Sequence, residues 1–248
     1  MKILVCISSV PDTTSKINFT ADKSAFDKNG IQWVINPLDE FGLTKAIKLQ
    51  ESGGAKVTVI NVGDATTEPV IRKSLAIGAN DAIRINLEPK DSFSVAKEIA
   101  NIAQTGGYDL ILCGKESIDY NGGAVPGMVA QLLNQPFVNA CVGLEVNGSE
   151  ATAVREIEGG KETISVKLPA VIAGQKGMVD EKNLIIPNMR GIMSARSKPL
   201  VVNEPVNNEV KVDAVSFDSV PARAAVKMVT PDNLDELVRL LHEEAKVI

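Results

Sequence analysis

Four short apolar runs recur along the first half of the chain, and each is rich in branched side chains. They cover residues 2–8, 57–62, 82–85 and 110–113. Runs of this length and composition are typical of strands buried on both faces of a parallel sheet, and the stretches between them have helical spacing. This alternation predicts an α/β fold with a doubly wound, mostly parallel sheet.

Three helices are predicted between these runs, each covering one face of the sheet. Glycines follow the second helix at Gly78 and the third at Gly106 and Gly107, where a left-handed backbone residue commonly ends a helix. The apolar positions of the three helices are Phe41, Ala46, Ile47 and Leu49; Val70, Ile71, Leu75 and Ala76; and Val95, Ile99, Ala100 and Ile102.

Beyond residue 138 the pattern changes to strict alternation of apolar and polar residues. The alternating segments 151–158 and 161–168 flank the pair Gly159-Gly160, which predicts a β-hairpin inserted into the domain. One more apolar run, 169–174, is expected to return to the main sheet.

The C-terminal segment carries several prolines and isolated polar residues, which indicate an extended arm. A terminal helix is predicted to run to Ala245, with Thr230 as its N-cap and Pro231 at its first position. The expected division is an α/β domain over residues 1–202 and an arm with its helix over residues 203–248.

Composition narrows the class of protein. The 248 residues suffice for one sizeable α/β domain plus an appendage, and 44% hydrophobic with 23% charged residues is close to the average for soluble globular proteins. A net charge of -5 without a lysine or arginine stripe argues against nucleic acid as a partner, since its phosphates require clustered cations.

The cysteines and the histidine limit the chemistry that the chain can perform. Cys6, Cys113 and Cys141 are far apart and lack metal-ligand spacing, so they are interpreted as buried thiols in a reducing compartment. His242 is the single histidine, so histidine-based acid/base catalysis and a histidine metal site are not expected. No apolar run approaches the roughly 20 residues that span a bilayer, and the apolar start is too short for a signal peptide, so a cytoplasmic protein without membrane insertion is expected.

The densest candidate site follows the fourth predicted strand, from Cys113 to Met128. Gly122 and Gly123 would let backbone amides approach an anion, and a helix that begins near Pro126 would add its positive end. The segment therefore predicts a phosphate cradle, or else an ordinary glycine-rich turn that leads into a helix. Neither a P-loop nor a dinucleotide fingerprint follows the first strand.

Two other loops contain candidate residues. Asn36 and Asp39 flank the start of the first helix, where they are interpreted as a well-formed helix N-terminus. Met178 and Val179 lie in the middle of the polar loop 174–183, so they are either exposed anchors for a partner or side chains that fold back over the sheet.

Together these segments resemble the β subunit of electron-transfer flavoproteins along essentially the whole chain. The most specific stretch is 154–163, and Lys167 to Val171 and Ile186 to Met189 follow at the family's spacing. The resemblance implies an adenine-nucleotide-hydrolase-like fold and a non-enzymatic electron carrier. It also implies a heterodimer in which an α subunit holds most of a redox-active FAD while this subunit binds AMP and docks its arm on the partner. Electrons would pass from acyl-CoA dehydrogenases of fatty acid β-oxidation, or other flavin dehydrogenases, to a membrane quinone oxidoreductase.

The resemblance also assigns residues. It places Thr13 and Leu38 at the edge of the flavin and makes Met178, with Val179 beside it, the anchor of a partner-recognition loop. The family's polar side chains in the phosphate turn are replaced by Gly123, Ala124 and Val125, so phosphate binding would depend on backbone amides. The implied nucleotide site comprises Cys6, Asn36, Pro37, Leu38, Asp39, Val62, Gly114, Lys115, Asp119, Asn121, Gly122, Gly123, Ala124 and Val125.

Two alternatives remain open at this stage. Electron-bifurcating relatives bind a second FAD in place of AMP and take electrons from NADH. A nucleotide-binding module of the universal-stress type has a similar sheet, but it would be stable alone and would bind ATP.

Overall fold

The computed structural model describes residues 1–206, 209–223 and 225–248. Within them, nine strands form one sheet in the order β11-β5-β4-β1-β6-β10-β7-β8-β9, and β2 and β3 form a separate antiparallel pair. The strands are β1 (Lys2–Cys6), β2 (Ser9–Pro11), β3 (Trp33–Ile35), β4 (Lys56–Val62), β5 (Asp81–Ile85), β6 (Leu110–Gly114), β7 (Phe137–Asn147), β8 (Glu150–Ile157), β9 (Gly160–Lys167), β10 (Ala170–Gly174) and β11 (Leu200–Asn203).

Helices cover both faces of this sheet. Side chains alternate along β1, so Ile3 and Val5 pack with α1 and α2 on one face, while Leu4 and Cys6 pack with α3 and α4 on the other. The burial of both faces explains why the central parallel strands are mostly apolar, with Thr58, Asn61 and Arg84 as buried polar exceptions. The helices are α1 (Pro37–Gly53), α2 (Glu68–Ile77), α3 (Ser92–Gly106), α4 (Val125–Leu133), α5 (Met189–Ala195) and α6 (Leu234–Arg239).

The predicted α/β fold with a doubly wound, mostly parallel sheet is confirmed. Neighbouring strands from β11 to β7 run parallel, and only β8 and β9 are antiparallel additions at one edge. The predicted hairpin is this β8–β9 pair, and the run 169–174 returns to the sheet as β10, between β6 and β7. Gly107 ends α3 in the left-handed conformation with φ 62°, as its position predicted.

Four strands, β2, β3, β7 and β11, were not predicted from the sequence. β7 is a long strand between β10 and β8, and a bulge near Cys141 disturbs its alternation and hides it from a pattern search. β2 and β3 have only three residues each, and β11 is a four-residue strand that pairs with β5 at the edge of the sheet opposite to β9. The domain boundary at residues 202 and 203 stays a prediction, and β11 runs across it.

The terminal helix differs from the prediction. It begins at Leu234, after Asn233, whose side-chain oxygen accepts a hydrogen bond from the Glu236 amide at 3.3 Å. Thr230 and Pro231 belong to a turn in which the Thr230 carbonyl accepts from the Asn233 amide at 3.0 Å. Asn233 is the better cap because its short amide side chain reaches the third amide of the helix. The regular helix ends at Arg239 and continues as one π-helical turn over Leu240–Glu244.

Candidate functional site

The cleft of the molecule opens where the strand order reverses. The chain leaves the central strand β1 toward β4 and β5, then returns on the other side of β1 as β6. Helical connections therefore diverge beyond the carboxyl ends of β1 and β6, which is where open α/β sheets bind their ligands. The cleft there has a volume of about 840 Å³ and is lined by the ends of β1, β4 and β6 and by the loops that follow them.

Asp39, in the first turn of α1, ties together the two strands at this point. One carboxylate oxygen, Oδ2, accepts a hydrogen bond from the Ser8 amide at 2.7 Å beyond β1. The other, Oδ1, accepts from the Gly114 amide at 2.8 Å at the end of β6. The side chain is only 4% exposed, and this burial raises the pKa of Asp39 to about 7 against the opposing effect of its hydrogen bonds.

Asn36 holds the loop that follows β6. Its side-chain nitrogen donates to the Glu116 carbonyl at 2.8 Å, and its side-chain oxygen accepts from the Ile118 amide at 3.3 Å. The side chain makes no capping hydrogen bond with α1. Asn36 was predicted only as part of a helix start, but its side chain instead holds the loop after β6 in place through these two hydrogen bonds.

The glycine-rich loop forms one wall of the cleft. The Ser117 amide donates to the Gly122 carbonyl at 3.0 Å, and Asp119 accepts from the Ser117 hydroxyl at 2.6 Å, which closes the turn. A Cβ at Gly122 would meet no atom within 4 Å, so the space above this backbone is free. A Cβ at Gly123 would lie 3.2 Å from the Lys115 carbonyl, so this glycine serves the close approach of two backbone segments.

The start of α4 supports the phosphate-cradle hypothesis over an ordinary turn. The helix begins at Val125, its N-cap is Ala124, and no side chain caps its first amides. Ala124, Val125 and Pro126 all line the cleft. Unsatisfied amides at a helix N-terminus, next to open backbone at Gly122, form an arrangement suited to an anion.

The floor of the cleft is apolar and includes two thiols. Cys6 and Cys113 lie on the adjacent strands β1 and β6, and both are buried. A hydrogen bond with Cys113, followed by burial, raises the pKa of Cys6 well above its usual value, so the thiol is neutral. Cys141 is also a free, buried thiol, which confirms the burial predicted for all three cysteines.

The structure brings together most of the residues expected at a nucleotide site. Five others do not line the cleft: Pro37 and Leu38 at the start of α1, and Lys115, Asn121 and Gly123 in the loop after β6. The residues that line it are Cys6, Asn36, Asp39, Val62, Gly114, Asp119, Gly122, Ala124 and Val125.

The opposite wall was missed by the sequence analysis. It includes Lys28 and Asp64 in loops, Trp33 at the start of β3 and Phe93 in the first turn of α3, and no recognisable motif surrounds them. Asp64 could have been found, because it closely follows β4 and so must lie at the same edge of the sheet as the other strand ends. Nothing in the local sequence marks the other three.

The remaining predicted residues lie outside the cleft. Thr13 is exposed in the loop after β2, and Leu38 is partly buried against the core, so their placement beside a flavin stays a prediction. Met178 and Val179 are each 6% exposed and belong to the core, and Met178 lies directly against Gly174. Of the two arrangements left open by the sequence, the second is the one observed, because the loop folds back and both side chains cover the sheet. The role of partner anchor implied by the resemblance stays a prediction.

Exposed apolar side chains lie further along the same segment. Ile186 is 84% exposed, and Met189, Ile192 and Met193, in or beside α5, are exposed as well. Asn188 caps α5 by accepting from the Gly191 amide at 2.8 Å. If this segment contacts a partner, these side chains are the ones available to it.

The described ranges contain neither a metal-binding cluster nor a membrane-spanning helix. In residues 1–206, 209–223 and 225–248, no group of three or more histidine, cysteine, aspartate or glutamate side chains is placed to hold a metal ion. Across the same residues, no helix combines the length and the apolar character needed to cross a bilayer.

The fold and the cleft define the class: an open-sheet, doubly wound α/β protein with its ligand cleft at the switch point between β1 and β6. Residues 24–207 match the family model described as the electron transfer flavoprotein domain. The chain is 32% identical to the electron transfer flavoprotein subunit beta of Bacillus subtilis over the whole length of both. It is 35% identical to that of Syntrophomonas wolfei over 91% of this chain and 88% of the relative, and 29% identical to the human one over 94% and 95%. The chain belongs to the family of electron transfer flavoprotein β subunits.

Proposed function

We propose that this chain binds an adenine nucleotide, AMP, in the switch-point cleft and acts as the β subunit of a heterodimeric electron carrier. The observation that carries the proposal is the pairing of an apolar, thiol-lined floor with the open backbone at Gly122 and the uncapped start of α4. The apolar floor suits an adenine ring, and the free backbone amides at Gly122 and at the start of α4 suit a phosphate. The family membership sets aside the universal-stress alternative.

The chain's own residues hold and orient the nucleotide in this proposal. Asp39 and Asn36 fix the loops after β1 and β6, so the amides near Gly122 are already in position before the phosphate arrives. Preorganised donors of this kind cost little ordering free energy on binding. FAD, held mainly by the α subunit, would supply the redox chemistry, and Thr13 and Leu38 would face its edge.

A second candidate is a bifurcating carrier with a second FAD in the cleft and NADH as the electron donor. The size of the cleft favours it, because about 840 Å³ lies near the upper end of the roughly 300–1,000 Å³ range of ligand pockets. Lys28 and Lys90 on the wall opposite the glycine loop could interact with further phosphate oxygens.

Nucleotide analysis of the complete complex separates these candidates. The chain is co-expressed with its α subunit, the heterodimer is purified, and the nucleotides released by acid are separated by chromatography. One FAD and one AMP per heterodimer are expected. Two FAD molecules would establish the second candidate, and a complex without any adenine compound would contradict both.

The electron partners belong to the same proposal. Acyl-CoA dehydrogenases or related flavin dehydrogenases would reduce the carrier, a quinone oxidoreductase would reoxidise it, and the cytoplasm would be its compartment. The buried free thiols are compatible with a reducing compartment. We assign partner recognition to the exposed surface of Ile186, Met189 and Met193, since Met178 lies in the core.

A further inference from the structure

The C-terminal arm crosses the mouth of the cleft instead of extending away from the domain. After β11, the Val206 amide donates to Glu98 on α3 at 3.1 Å. Further on, the amides of Lys211 and Val212 both donate to Asp91, at 2.5 and 3.0 Å. The described parts of the arm thus follow α3 back to its N-terminus, which is at the edge of the cleft.

Asp91 is a firm attachment point for the arm. It is also the N-cap of α3, where its other carboxylate oxygen accepts from the Ser94 amide at 2.8 Å. Burial acts to raise the pKa of Asp91, but the hydrogen bonds from Ser94, Lys211 and Val212 hold it at about 2. The carboxylate is therefore charged at neutral pH, and hydrogen bonds to a charged acceptor are stronger than those to a neutral one.

An aromatic contact fixes the other end of the crossing segment. The rings of Phe217 and Phe19 stack with their centroids 5.4 Å apart, and the Phe217 amide donates to the Lys23 carbonyl at 2.9 Å. The loop that carries Phe19 also carries Phe26, which packs edge-on against Trp33 in the cleft wall. The arm is thus attached on both sides of the opening, at α3 and at this loop.

The crossing segment contributes to the lining of the cleft. Lys211, Val212 and Phe217 line it, and the Lys211 ammonium lies 5.4 Å from the centre of the Phe93 ring, beside Asp91 at the start of α3. The arm then continues through exposed apolar residues to α6. The segment that closes the cleft is therefore covalently continuous with the part of the chain expected to dock on the partner subunit.

We propose that residues 211–217 form a strap that closes the nucleotide cleft, and that the bound nucleotide leaves only when this strap detaches from Phe19 and Asp91. The inference rests on the proposed function, since it assigns a retaining element to the same site. Contacts that the partner makes with the rest of the arm would then also slow the loss of nucleotide.

The test measures the release of radiolabelled AMP from the heterodimer after addition of excess unlabelled AMP. Phe217→Ala and Phe19→Ala each remove one ring of the stacked pair, and each is expected to speed release about three- to tenfold, as the strength of such pairs implies. The double variant should release AMP no faster than either single variant, because all three lose the same contact. Val215→Ala is the matched control on the same arm, since Val215 is 94% exposed and is not among the residues that line the cleft.

A second measurement follows the strap directly. Hydrogen exchange of the Lys211 and Val212 amides should be slower with AMP bound, because the closed strap keeps both hydrogen bonds to Asp91. Wild-type release rates in both phenylalanine variants would overturn the strap and leave the nucleotide site intact. A wild-type heterodimer that retains no labelled AMP would instead overturn the proposed function, and the strap with it.

Discussion

Asp39 and Gly114 meet at the switch point in a contact that admits no side chain at position 114. The Gly114 amide donates to Asp39 Oδ1 at 2.8 Å, and a Cβ added to Gly114 would lie 2.3 Å from that same oxygen. The carboxylate that holds β1 and β6 together therefore requires a glycine at the end of β6.

Replacement of this glycine should damage the site and the fold together. In Gly114→Ala, the new methyl group displaces the buried carboxylate, so the free energy of unfolding should fall by about 2–4 kcal/mol through overpacking and lost hydrogen bonds. Chemical denaturation measures the change. Gly53→Ala is the control, because a Cβ at Gly53 meets nothing within 4 Å at the end of α1, and it should leave stability the same or slightly higher. Equal stability of both variants would disprove the contact.

The raised pKa of Asp39 should make stability depend on pH. The unfolded chain gives up this proton near pH 3.8 and the folded chain only near pH 7, so the folded state binds more protons between these values. This contribution to the free energy of unfolding is full below pH 4 and is lost as pH rises to about 7.

Asp39→Asn should flatten that dependence. The amide side chain stays neutral, but it can accept from only one of the two backbone amides at Ser8 and Gly114, so we expect a loss of about 1–3 kcal/mol at pH 5. Urea unfolding at pH 5 and at pH 7.5 compares the two proteins. A variant with the full pH slope of the wild type would show that another group titrates.

The open backbone at Gly122 predicts a specific defect in nucleotide binding. Gly122→Val puts a branched side chain in the space assigned to the phosphate, and the loss of hydrogen bonds to a charged group should weaken AMP binding about ten- to a hundredfold. The matched control is Gly160→Val in the β8–β9 hairpin, where a Cβ also meets no atom within 4 Å. Titration with AMP measures both. Unimpaired AMP binding by Gly122→Val would exclude the cradle.

The two candidate positions for partner recognition, Met178 and Ile186, differ in burial, so their substitution should have different effects. Met178→Ala should lower the free energy of unfolding by about 2–5 kcal/mol, because it removes a buried side chain from the core. Ile186→Ala should change stability by less than about 0.5 kcal/mol and slow electron transfer from a dehydrogenase at unchanged flavin content. Chemical denaturation measures the stability of both variants, and stopped-flow reduction measures their rate of electron transfer. Normal transfer kinetics for Ile186→Ala would remove this surface from the proposal.

The apolar pattern by itself determined the framework of this protein. Strands β1, β4, β5 and β6 could be predicted because both of their faces are buried, so most of their positions are apolar. The pattern also singled out the segment after the fourth strand, which contains Gly114 and Gly122, whereas Cys6 and Val62 were assigned to the site by the family resemblance.

Only the tertiary structure decided what the loops do. Asn36 and Asp39 fit a helix N-terminus equally well in sequence, and their hydrogen bonds to Glu116 and Gly114 connect segments about 80 residues apart, a relationship that local spacing cannot encode. Met178 occupies a polar loop, yet it is buried because the loop folds against Gly174. The sequence indicated an extended arm, but the course of the arm across the cleft depends on its contacts with Asp91 and Phe19. These two residues lie on separate loops, and only the folded chain brings them to the two sides of the opening.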